Sequence, residues 1–172
     1  MWWMVCAALA TGPAAETPTS EPTVEAVTVQ DLSGTWVLDL GASDDIDALL
    51  KAQGFSGMQR SFVKRMGVTQ RIVDERDTLK LQVETSVAND SQVLLADGVA
   101  RDHTSRQGLT SKVSHVREAD GTWVTTSVGQ DEKGNELVLV SRRFLEGGAM
   151  VLQIRMTHAG EVHELRRVFR RG

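Results

Sequence analysis

The sequence predicts an all-β chain: an antiparallel meander closed into a barrel, with a helix–turn–helix cap between its first and second strands. Three observations lead there. From Gly67 onward, turn-forming pairs recur at a spacing of about 8–14 residues, the rhythm of consecutive hairpins. Between those turns, apolar and polar residues alternate with the period of two that a half-buried strand requires. The segment from Ser43 to Met66 breaks that pattern and spaces its apolar residues as a helix does.

The first strand is Thr35–Leu40 (TWVLDL), ended by Gly41-Ala42-Ser43. Ser43, Asp44, Asp45 and Asp47 then supply the acceptor and the negative charge that a helix N-terminus favours. Ile46, Leu49 and Leu50 follow at helical spacing, and Gly54 stops the segment. A second helix over Met58–Met66 aligns Met58, Phe62, Val63 and Met66 for packing, with Arg60, Lys64 and Arg65 away from that stripe. Asp74–Asp77, Asn89-Asp90, Asp97-Gly98, Asp120-Gly121, Lys133-Gly134-Asn135, Gly147-Gly148 and Ala159-Gly160 mark the later turns. They leave eight or nine strands after the helices. The clearest alternation places Leu79, Leu81 and Val83 on one face of a strand, and Met150, Leu152, Ile154 and Met156 on one face of another. A meander this long closes to remove its edges. More than eight strands make a barrel wide enough to enclose a cavity.

Residues 1–30 stand apart as an N-terminal arm. An apolar start, MWWMVCAALA, precedes a stretch rich in Thr, Pro, Ala and Glu that cannot bury enough apolar area to offset chain entropy. The start reads either as the remnant of an export signal or as an unstructured apolar terminus, so the compartment stays open between the cytoplasm and export. The folded domain is 31–172. Charge is uneven too, and the arm accounts for part of it: residues 1–50 hold eight acids and no Lys or Arg, and the rest holds all 19 basic residues. The net charge of -4 excludes a general nucleic-acid binder. A single cysteine, Cys6, excludes a disulfide framework.

Chemistry-bearing residues are few. In the last strand, Leu165, Arg167 and Phe169 share a face, so Arg167 points inward if its apolar neighbours do. A guanidinium there requires an anionic partner, and its planar fork fits a carboxylate. Arg142 shares a face with Val138 and Val140. Leu137 and Leu139 are apolar as well, so the pattern leaves its direction open. Arg143, Arg155 and Arg166 are expected on the exterior. His158 and His163 flank a turn, but two ligands without a third make no metal site. No phosphate loop, catalytic carboxylate pair or cofactor motif is present.

These features together resemble the intracellular lipid-binding proteins, the fatty-acid-binding and cellular retinoic-acid-binding proteins of the calycin group. Leu32-Ser33-Gly34-Thr35-Trp36 resembles the family's opening Phe-x-Gly-Thr-Trp. Asp44–Phe55 resembles its first helix, the helix hairpin follows the first strand, and Arg167-Val168-Phe169 is similar to its terminal Arg-x-Tyr. The resemblance implies a closed ten-stranded up-and-down barrel holding one long-chain fatty acid or similar hydrophobic carboxylate, without enzymatic activity or cofactor. It implies a carboxylate grip by Arg142, Arg167 and Phe169. Phe169 lacks the tyrosine hydroxyl, so one donor of that grip is missing. Met150, Leu152, Ile154, Met156 and Leu165 would form the wall with Phe169, and the mouth would lie under the hairpin. Arg60, Lys64 and Arg65 would steer a monomer to anionic membranes. The rivals are a barrel enzyme or haem protein using an inward histidine, and a filled barrel serving as scaffold or inhibitor.

Overall fold

Among the described residues, one strand, two short helices and nine further strands follow one another. The computed structural model describes residues 29–104, 108–131 and 133–172. The expectations for the N-terminal arm, Cys6 included, therefore fall almost wholly outside the described residues. The strands are β1 (Gly34–Asp39), β2 (Val68–Glu75), β3 (Thr78–Thr85), β4 (Asn89–Leu95), β5 (Arg101–Thr104), β6 (Thr110–Arg117), β7 (Trp123–Gln130), β8 (Glu136–Glu146), β9 (Ala149–His158) and β10 (Glu161–Arg171). They form one antiparallel sheet in the order β4-β3-β2-β1-β10-β9-β8-β7-β6-β5. Every neighbour is a sequence neighbour except β1 and β10, which join the start of the domain to its end.

The sheet curls strongly, and its hydrogen-bonded ladder ends at β4 and β5, which do not pair among the described residues. The two edges approach at one end, where Gly98 N–H, just past β4, donates to the His115 carbonyl of β6 at 3.0 Å. Turn chemistry places most hairpins where the sequence signals them. Asn89-Asp90 is the exception: it opens β4, and the preceding turn is held instead by Thr85, whose N–H and hydroxyl both reach the Ala88 carbonyl.

Two Gly-Thr-Trp corners close one end of the sheet. Gly34 and Gly121 both adopt positive φ, 139° and 90°, which a side chain would strain. A Cβ on Gly121 would also lie 2.6 Å from the Gln30 backbone. The two corners place Trp36 and Trp123 in the core, and an arginine covers each ring: Arg171 at 4.6 Å and Arg117 at 5.8 Å from the centroids. Trp36 Nε1 donates to the Leu32 carbonyl, and Trp123 Nε1 donates to Asp74.

The helices are α1 (Asp47–Ala52) and α2 (Gly57–Lys64), between β1 and β2. Ser43 does not cap α1. Its hydroxyl donates to the Asp39 carbonyl and accepts from Val168 N–H, stitching the connection onto β10. Asp44 continues the stitch, exchanging hydrogen bonds with the backbone of Arg166. Ser56 is the true cap of the pair, in a capping box with Gln59. The expected stripe on the second helix is only half buried. Val63 and Met66 enter the core, whereas Met58 and Phe62 are 86% and 54% exposed. The remaining stripe faces solvent, and α2 packs mainly against α1, which in turn contacts β10.

Candidate functional site

The curled sheet encloses a cavity of about 450 Å³. Its wall is mainly aliphatic, from Val68, Leu81, Val83, Leu94, Val113, Leu137, Leu139, Leu152 and Ile154. Polar side chains interrupt it at Gln70, Thr85, Gln92, Ser111, His115, Ser127 and Arg143. Exposed residues of both sheet edges, Val93 and Leu95 on β4 and Arg101, Asp102 and His103 on β5, also border it. The cavity thus reaches the surface along the β4–β5 seam. No described residue of α1 or α2 lines it, which corrects the expectation of a mouth under the hairpin.

Arg143, not Arg142, lines the cavity. Arg143 is 6% exposed and stands opposite Trp123 on β7 and Leu152 on β9. Arg142 faces the other way and forms a two-pronged pair with Glu118, with Nη1 to Oε1 at 2.8 Å. The one-residue difference turns every side chain of β8 to the opposite face. The Gly147-Gly148 turn contains the missed signal. A two-residue turn pairs Leu145 with Met150 and Arg143 with Leu152, so the face of β9 determines the face of β8.

Arg167 is buried on the same face as Leu165 and Phe169, but it is not among the residues that line the cavity. Leu152 is its register partner as well as that of Arg143, so the two arginines flank Leu152 on neighbouring strands. Burial draws the Arg167 guanidinium below its ordinary pKa, and the charges of Asp44 and Asp45 oppose that shift. Leu152 and Ile154 line the cavity directly. Met150, Met156, Leu165 and Phe169 instead pack in the core around it.

Sequence reasoning missed His115 and Gln70. His115, on the inward face of β6, shares a 3.0 Å hydrogen bond through Nδ1 with the Thr125 hydroxyl. Burial, and then the positive charges of Arg143 and Arg101, push its pKa from 6.5 down to about 4, with the Asp97 charge opposing. His115 is therefore neutral at neutral pH. At the mouth, Arg101 pairs with Asp97 and holds that carboxyl well below the usual carboxylate range.

Several other expectations meet different partners. His158 bonds Asp131 at 2.9 Å and pairs in register with Glu161, whereas His163 pairs with Met156, so the two imidazoles do not face each other. No cluster of three or more metal-ligating side chains occurs among the described residues. Of the three basic residues on and just after α2, Arg60 is bound to Asp47 at 3.0 Å and Lys64 to Asp45 at 2.7 Å. Their charges serve the hairpin internally, and Arg65 stands exposed.

The fold is that of an antiparallel ten-stranded sheet with a helix pair after the first strand, and solved structures share it. Human cRBP IV matches with a TM-score of 0.60 at 23% identity, over 83% of this chain and 99% of its own. The REP1-NXSQ fatty acid transporter matches with a TM-score of 0.61 at 18% identity, over 82% and 96%. Apo lipid binding protein 8 of Caenorhabditis elegans matches with a TM-score of 0.62 at 17% identity, over 86% and 99%. Their names agree with the family that the sequence resembles. No protein-family model and no curated protein matches the chain.

Proposed function

We propose that the protein is a non-enzymatic carrier of a long-chain fatty acid or similar hydrophobic carboxylate. The observation that carries this reading is an aliphatic cavity of about 450 Å³ with the buried guanidinium of Arg143 in its wall. That volume lies within the roughly 300–1,000 Å³ typical of small-molecule sites. The carboxylate would lie near Leu152, at Arg143, with Arg167 adding positive potential from the other side of Leu152. Phe169 contributes packing in place of a hydroxyl. Side chains of β4 and β5 would complete the barrel wall where the ladder stops, with the seam as mouth. The structural neighbours named as a fatty acid transporter and a lipid binding protein support this reading.

Magnitudes divide the labour. Burying about 14 methylenes is worth roughly 11 kcal/mol before entropy and desolvation costs. A hydrogen bond to a charged group adds about 1.5–3 kcal/mol. The aliphatic wall therefore supplies affinity, and Arg143 selects and orients the head group. The exposed Met58 and Phe62 beside Arg65 would provide a contact for anionic membranes during transfer.

One observation favours a second reading, a histidine-dependent enzyme or haem site. His115 stands on an inward face near the charge of Arg143. Its pKa of about 4 makes it a weak general base at neutral pH, which disfavours the enzyme reading. A visible-absorption scan of the protein titrated with haemin tests the haem reading.

Native mass spectrometry of protein purified without detergent tests the carrier, followed by titration with oleate, retinoate and oleyl alcohol. Arg143→Ala is expected to lower the preference for oleate over oleyl alcohol by about tenfold or more, matching the loss of a charged hydrogen bond. Arg142→Ala should leave that preference unchanged. Equal weakening for acid and alcohol in Arg143→Ala, or no binding of either to the parent protein, refutes the reading.

A further inference from the structure

Gln70 lies in the middle of β2, opposite Trp36 of β1 and Val83 of β3. It lines the cavity and is 4% exposed. Its Oε1 is buried and finds no hydrogen-bond partner among the described residues. Val68, Leu81 and Val83 beside it are hydrocarbon, and the hydroxyl of Thr85, the remaining neighbour on β3, donates to the Ala88 carbonyl. A primary amide in such a place opposes folding unless something in the cavity matches it.

Arg143 lies four strands away around the sheet, through β1, β10 and β9 to β8. Both residues border the same cavity, so a chain whose carboxylate sits at Arg143 can reach Gln70. A plain acyl chain would strand the amide against methylenes. A hydroxyl on that chain would both donate to Oε1 and accept from Nε2, so it suits the amide whichever way the amide is turned. Sites built around buried polar groups reject ligands that leave those groups unmatched. We therefore infer that the cavity selects acids carrying a mid-chain hydroxyl, held by Gln70 while Arg143 takes the carboxylate. This inference rests on the carrier reading above.

The test measures dissociation constants for stearate and for a series of hydroxystearates in which the hydroxyl moves along the chain. At a mid-chain position, the hydroxy acid should bind the parent protein about tenfold more tightly than stearate. Gln70→Leu should abolish that preference while binding stearate at least as tightly. The ligand-free Gln70→Leu protein should also melt no earlier than the parent, because it loses an unmatched polar group. Gln70→Met gives the same readouts if the branched side chain prevents folding. Stearate binding without a preferred hydroxy acid overturns the hydroxyl subsite and leaves the carrier reading standing. So does a preference that survives in both variants. Failure of every acid to bind overturns both.

Discussion

Asp74 ties three separate segments together with one carboxylate. Its side chain is fully buried, and it accepts from Leu32 N–H at 3.0 Å, Trp123 Nε1 at 3.1 Å and Arg117 Nη2 at 3.1 Å. Arg117 in turn donates to the carbonyls of Gln30 and Arg76. Removing one member of a buried ion pair strands the other charge, which costs about 3–5 kcal/mol. Asp74→Ala should therefore lower the unfolding free energy by about that amount in urea titrations, and Asp74→Ala with Arg117→Met should recover part of the loss. Nothing local in the sequence marks Asp74 for this role, since it falls in a run of charged residues that reads as a turn. Arg143 differs, because the pairing across Gly147-Gly148 makes its direction legible in the sequence. The apolar residues on both faces of β8 obscured that register.

At the scale of elements, the helix pair depends on its connections more than on helix propensity. Helices of six and eight residues are too short to be stable alone. Asp45 and Asp47 reach forward to Lys64 and Arg60, and Asp44 pins the same stretch to β10. The Ser56–Gln59 capping box fixes the start of α2. Ser56→Ala should lower stability by about 1 kcal/mol, read as a shift in the urea midpoint at unchanged slope. The two helices and their order were legible from spacing. Which edge of α2 would be buried was not, because Met58 and Phe62 are as apolar as Val63 and Met66. Only the tertiary placement of the helix pair separates them.

At the scale of the molecule, His115 links the interior to pH. The unfolded chain binds a proton at this residue near pH 6.5, and the folded chain does so only near pH 4. Between those values the unfolded state holds more protons, so stability falls as pH is lowered through that window. His115→Gln should remove this part of the pH dependence, measured as urea midpoints from neutrality down to about pH 4.5. The carboxylates with lowered pKa, such as Asp97 and Asp131, act below that window. A loss of stability between these pH values that is unchanged in His115→Gln would assign the effect elsewhere.

The local sequence determined the rhythm of consecutive hairpins, the helix pair after the first strand and the inward faces of β3, β9 and β10. Turn residues, spacing and alternation act over a few neighbours, so they are written locally. Tertiary structure alone decided that Gln70 stands unmatched in a hydrocarbon wall and that His115 is held neutral. It also decided that the cavity opens along the β4–β5 seam. Each of these is set by groups brought together from distant strands, and the field and solvation at a side chain depend on those neighbours in space.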